Sequence, residues 1–294
     1  MKIHIFMYDL TSSPSTWYGS VIASILNELG HSGGVTTKMT DCFGDDITFL
    51  VLWGQFARKK DDRFKIIKGK SKCVILMQTE QIHRKKLWYD GFNLIQPHID
   101  AVVECNTELM DFTKKLSKVP VYSLPMGFHN SMITSNDTPI SVPWDVFRVE
   151  KNRKDRIIYY KEMNESGIKY FKGIPIKGLK KIGPLVRNSK ICLNVHSYGK
   201  TSSLSTSRVI GMFMANKGFS LVQKSSHPYF KDGEHLVYFT TPKDMIDKIH
   251  YYLKHQKEAR EIAENGFKHI STKLRLIDFV DGCLIKIKKD FRLK

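Results

Sequence analysis

ICLNVHSYGK (191–200), TSSLSTSRVIGMFMANKGFSLVQKSS (201–226) and HPYFKDGEHLVYF (227–239) form one continuous stretch whose reading decides the fold. Ile191–Val195 is an apolar run bounded by polar residues, the pattern of a buried strand. A polar loop follows, then a hydroxyl-rich helix start at Ser203–Ser207, then Arg208 and an apolar helix. Gly218 closes that helix, and Phe219–Gln223 and Leu236–Phe239 read as two further strands. Ser205, Thr206 and Ser207 ahead of Arg208 put helix N-terminal amides, hydroxyls and a guanidinium in one place. Helix dipole and unpaired N–H groups favour an anion there. The same spacing also suits an ordinary capped helix with a surface arginine.

Working outward, apolar runs alternate with helical patterns. Lys2–Tyr8 reads as a strand, and Val21, Ile22, Ile25, Leu26 and Leu29 share one face of a helix that stops at Gly30. Ile47–Trp53 and Cys73–Met77 are continuous apolar strands, as in a sheet covered on both faces. Ala101–Cys105 and Val121–Leu124 continue the pattern around a helix at Glu108–Leu116. Asn130–Pro143 lacks a hydrophobic period and is rich in Ser, Thr, Asn and Pro, which marks a linker. Beyond it come a strand at Trp144–Val149, a helix at Asp155–Gly167, a strand at Ile168–Lys172 and a helix at Lys180–Asn188. The order predicts an α/β chain of two doubly wound parallel-sheet domains, 1–135 and 136–294, facing a cleft. A last helix begins near Leu274.

The stretch 191–239 resembles the C-terminal half of group-1-type glycosyltransferases of GT-B architecture, nearest their spore-maturation-protein branch. There "LN", a gap, "TRVFEALACGAFLL" and "F..G.E.V.Y" recur in this order, and the layout of the next helix, PKDMIDKIHYYLKHQKEAREIAENGFKHI (242–270), recurs as well. The likeness covers about Val142–Ile270 well and the N-terminal half loosely. It implies two Rossmann-like domains, a nucleotide-sugar donor (a UDP-sugar) held by the C-terminal one, no permanently bound cofactor, no catalytic metal, and a last helix packing back across the domain junction. Where the family carries a Glu for the donor ribose, this chain has Gly211. A catalytically inactive GT-B binding module is therefore a second reading.

The carboxyl ends of strands nominate the chemistry. An inverting transfer needs a base for the acceptor hydroxyl, and Glu80, just beyond the strand Cys73–Met77, is the first candidate. A helix-start Glu balancing a dipole is its bland alternative. Asp9, at the end of the first strand, is second, against a plain turn-capping role. His196, ending Ile191–Val195, and Lys200 in the polar loop join Ser205, Thr206, Ser207 and Arg208 as donor-binding candidates. His129 near the linker is a further cleft candidate.

Charge speaks to the acceptor. Lys and Arg number 47 against 29 Asp and Glu, a net +18. Such an excess suits nucleic acid, an anionic membrane surface or a phosphorylated substrate, though a lysine-rich solvated surface looks the same. The layout also resembles, more distantly, the DNA glucosyltransferases of T-even phages. There an acidic residue follows a "YLFT" strand as Glu80 follows ILMQ, and "TLRVWE" stands where STSRVIG stands. That likeness implies a 5-hydroxymethyl base in DNA as acceptor. A surface glycan or a protein is the alternative. The hydrophobic fraction of 41% marks a globular chain, and no apolar run reaches the roughly 18–20 residues of a membrane span. Five scattered cysteines without a CxxC read as buried thiols, and with a first strand starting at residue 2 they point to the cytoplasm.

Overall fold

The computed structural model describes residues 1–10, 14–51, 54, 56, 60–79, 82, 86–134, 141–150, 153–171, 182–196, 206–225 and 227–294, with the backbone alone at 14–16 and 206. Structural statements below concern these residues. They form two compact units. Unit 1 comprises Met1–Met126 with Leu276–Lys294, and unit 2 is Gly127–Arg275.

Unit 1 is built on a six-stranded sheet of β1 (Lys2–Met7), β2 (Ser32–Thr36), β3 (Ile47–Val51), β4 (Val74–Gln78), β5 (Ala101–Glu104) and β6 (Val121–Ser123). All pairs are parallel, in the order β2-β1-β3-β4-β5-β6. Every residue of β3, β4 and β5 is buried, so these strands are covered on both faces, as their unbroken apolar runs predict. Phe6, Leu50, Leu76, Phe92 and Val102 meet in one core cluster.

β2 has no apolar run to announce it. Its sequence is SGGVT, and the Gly33 backbone, at φ 131°, lies so close to β1 that a Cβ there meets the Ile3 carbonyl oxygen. Only glycine allows that approach.

Unit 2 has a four-stranded parallel sheet of β7 (Val146–Phe147), β8 (Ile191–Asn194), β9 (Ser220–Gln223) and β10 (Val237–Phe239), in the order β10-β9-β8-β7. The strand expected at Ile168–Lys172 is reduced, within the described residues, to a single parallel bridge between Tyr170 and Val146. That bridge sits on the side of β7 away from β8. The chain thus steps one way from β7 to Tyr170, then returns past β7 to lay down β8, β9 and β10. The order reverses between β7 and β8, the place where open parallel sheets bind ligands. Leu193, Val195, Leu221, Phe239, Met245, Ile249 and Ile262 join the sheet to the helices Pro242–Lys254 and Gln256–Lys273.

The helix expected after Arg208 takes another form. Thr206–Arg208 is an α-turn, Val209–Phe213 a π-turn and Met214–Asn216 a 3₁₀ turn, ending at Lys217 in the left-handed region at φ 56°. Gly218 follows because a Cβ there collides with Val186 and Cys192. All five π-turn residues are buried, so tertiary packing sets the irregular winding.

Candidate functional site

β7 and β8 end side by side, and the residues just past them are polar yet buried. Arg148 and Glu150 follow β7, Asn194 and His196 close β8, and Gln223 ends β9. From the helix Lys154–Glu165, Arg156 reaches in, and Arg208 comes from the turn Thr206–Arg208. Arg148, Glu150, Arg156 and His196 are each at most 3% exposed. Among the described residues, three guanidinium groups thus gather near the Glu150 carboxylate.

The geometry shows how the fold holds them. Val195 donates its N–H to Glu150 Oε1 at 2.7 Å and its carbonyl accepts from Arg156 Nε at 2.8 Å. Where β8 runs out of ladder partners, side chains take over its backbone groups. Arg208 donates to Asn194 Oδ1 at 2.8 Å and lies 3.7 Å from Glu150 Oε1. Burial lowers the Arg208 pKa to about 10, against the pull of Glu150, so the group stays cationic at neutral pH. Arg148 donates to the Glu150 carbonyl at 2.9 Å and stacks over Tyr160 at 3.9 Å. Two buried polar atoms beside the arginines, Glu150 Oε2 and the Tyr160 hydroxyl, have no hydrogen-bond partner. Buried groups of that kind call for a ligand or water.

His196 is fully engaged. The Gln223 carbonyl lies 2.7 Å from Nε2, which fixes the proton there, and Asn194 Nδ2 donates to Nδ1 at 3.3 Å. Its backbone N–H donates to Gln223 Oε1 at 2.9 Å, and Gln223 Nε2 donates to the Tyr159 hydroxyl at 2.8 Å. Burial first, then Arg208 and Arg156, depress its pKa to about 4. The ring is a neutral strut, one bond removed from Arg208 through Asn194.

Of the candidates named from sequence, His196 and Arg208 are thus brought together, and Ser207 is half-buried beside Arg208. Thr206 opens the same turn. Lys200, Ser205 and Glu80 lie outside the described residues. Asp9 stands two residues past β1 in unit 1. His129 caps a short turn, its Nδ1 accepting from the Ser131 backbone at 3.3 Å. Arg148, Glu150 and Arg156 did not emerge from sequence. The signal was there in VFRVE (146–150), charged residues at the carboxyl end of a strand.

Residues 174–276 match a family model described as glycosyl transferase-like. Arg148, Glu150 and Arg156 lie ahead of the matched segment. No curated protein matches the chain. Among solved structures, Anabaena HepE in complex with UDP and glucose is similar at TM-score 0.67 and 9% identity, over 98% of this chain and 100% of that one. T4 phage BGT with its UDP-glucose substrate is similar at TM-score 0.62 and 14% identity, over the full length of both. A structure titled as the DNA modifying enzyme beta-glucosyltransferase gives 0.61 and 13%, again over both whole chains. The chain thus has the GT-B fold, and its residues 174–276 match a glycosyl transferase-like family model.

Proposed function

We propose that the protein transfers a hexose or pentose from a UDP-sugar to an acceptor hydroxyl, with Arg208, Arg156 and Arg148 receiving the donor's diphosphate. The observation that carries this reading is the convergence of Arg148, Arg156 and Arg208 at the switch point of the unit 2 sheet. Guanidinium groups gathered in a buried site offer a diphosphate charge-assisted hydrogen bonds. The similar structures in complex with UDP or UDP-glucose support that choice of anion.

When the sugar–phosphate bond breaks, negative charge grows on the departing diphosphate. Preorganised cations in a water-poor site stabilise it most effectively. Asn194 and His196 hold Arg208 in place for that moment. On the acceptor, the hydroxyl proton passes to a base as its oxygen bonds the anomeric carbon. Glu80 has this role in our reading and Asp9 is the alternative; with retention of configuration neither is needed as a base. Gly211 offers no carboxylate for the ribose.

For the acceptor we favour a 5-hydroxymethyl base in DNA. The whole-length likeness to a DNA modifying enzyme and the net charge of +18 support it. The test is a panel of radiolabelled nucleotide sugars, each incubated with plain duplex, hydroxymethylated duplex, glycan and protein acceptors. Label on hydroxymethylated duplex alone is the expected result. Label on glycan or protein instead keeps the transferase and removes the DNA acceptor. No transfer or hydrolysis from any donor makes the protein a binding module.

A further inference from the structure

At the amino-terminal ends of the unit 2 strands, opposite the arginine cluster, three depressions adjoin. One of about 400 Å³ is bounded by Asp145, Lys169 and Lys190. The next, about 310 Å³, shares Lys190 and Asn188 with it and adds Arg187, Lys217 and Arg260. The third, about 670 Å³, shares Arg260 and continues past Lys257 along the helix Gln256–Lys273. Lys190 directly precedes β8 and Asp145 directly precedes β7, which fixes the groove to this end of the sheet.

Among the described residues six cations line the groove, against three carboxylates, Asp145, Glu261 and Glu264. None of these carboxylates lines the central depression. Asp145 pairs with Lys190 at 2.8 Å and Glu264 with Lys217 at 3.1 Å. Both pairs are solvent-exposed, so each holds its lysine weakly and a phosphate can compete. Arg187 is partly committed to the Thr134 carbonyl and Asn216. Lys257 and Arg260 are exposed and have no acidic partner among the described residues.

We infer that this groove holds the phosphodiester backbone of a nucleic acid, as a second, sequence-independent contact away from the transfer site. Its continuity argues for a chain of phosphates over a single small anion. From Lys257 to Asn265 the helix rises about 12 Å, room for two or three phosphates of one strand. The groove is concave, and none of its residues is among the large apolar side chains exposed on the protein. An interfacial membrane site needs such side chains to insert.

The test compares the whole protein with Lys257→Glu/Arg260→Glu. The control Lys114→Glu/Lys115→Glu, on exposed lysines of unit 1, makes the same change in net charge. Binding of a plain 20-base-pair duplex is followed by fluorescence anisotropy across a salt series. UDP affinity is measured on each variant to show that unit 2 is intact. The groove variant should bind the duplex at least tenfold more weakly at low salt. Its log–log slope should be flatter by about 1.8, two contacts' worth, while the control keeps the wild-type slope. No duplex binding by the wild type, equal weakening by both variants, or an unaltered groove variant overturns the inference. So does selective loss of binding to anionic vesicles, which gives the groove to lipid. Because plain duplex carries no acceptor hydroxymethyl group, the result stands apart from whether sugar is transferred to DNA.

Discussion

Among the described residues of the site Glu150 is the carboxylate beside three guanidinium groups, and its removal separates folding from ligand binding. Glu150→Gln keeps an oxygen for the Val195 N–H but leaves the arginines unbalanced. Breaking a buried ion pair in this way should cost about 3–5 kcal/mol of stability. A bound UDP restores the balance, so the rise in Tm on adding UDP should be larger in the variant than in the wild type. A smaller or equal rise means that the diphosphate does not sit with this cluster. Arg208→Ala should instead weaken UDP binding by about 2–3 kcal/mol by calorimetry, the scale of a charge-assisted phosphate contact. Unchanged affinity removes Arg208 from the donor site. His196 sets a pH dependence. Its folded pKa of about 4 lies below the unfolded value near 6.5, so the unfolded chain takes up the proton first. Stability is full above pH 6.5 and falls as pH drops toward 4, by about 3 kcal/mol from this ring. His227, depressed to about 4 by its own burial, acts in the same direction. Denaturant unfolding at pH 7.5 and 4.5 should show His196→Gln with a smaller loss than the wild type. An identical loss shows that the ring is not buried neutral.

Elements were legible where one physical signal dominated. β3 and β4 announce themselves because strands covered on both faces must be apolar throughout. The helix Pro242–Lys254 is capped by its own side chains. Thr241 accepts from the Asp244 N–H at 3.1 Å, and Asp244 Oδ2 accepts from the Thr240 N–H at 2.8 Å. Thr241→Ala should therefore cost about 1 kcal/mol in denaturant unfolding, and Thr241→Ser much less. Equal losses from both point to packing, not the cap. β2 was not legible, since SGGVT forms a strand only because β1 lies against it. The π-turn after Arg208 was invisible for a like reason: its residues suit an ordinary helix, and packing overrules them. Among the described residues of the site, Arg208 stood out through helix-start chemistry. Arg148 and Glu150 did not: Arg148 falls inside the strand read at Trp144–Val149 and Glu150 just after it, whereas β7 ends at Phe147.

Unit 1 closes with a segment distant in sequence. The helix Leu276–Phe291 packs on the helix Pro14–Glu28 and on β6, burying Leu276, Val280, Cys283, Leu284 and Ile287. Tyr122 donates its hydroxyl to Asp290 at 2.7 Å. Each fully buried aliphatic side chain is worth about 1.5–3 kcal/mol, so together they rival the stability of a whole domain. Deleting Leu276–Lys294 should strip hydrogen-exchange protection from Pro14–Glu28 and β6 while β8 and β9 keep theirs. Uniform loss, or none, shows that the helix belongs to neither unit in particular. The two parallel sheets followed from the βα rhythm of the sequence. The contacts of Leu276–Phe291 with Pro14–Glu28 and β6 were not legible, because an amphipathic helix does not name the surface it covers.

That attachment also governs the order of birth. A ribosome makes Met1–Met126, then all of Gly127–Arg275, and only afterwards the helix that completes the first unit. At 5–20 residues per second the wait is on the order of ten seconds. Unit 2, being contiguous, can fold as soon as it has emerged. Unit 1 must spend that interval with the faces of Pro14–Glu28 and β6 uncovered, which makes it the more aggregation-exposed half of the nascent chain.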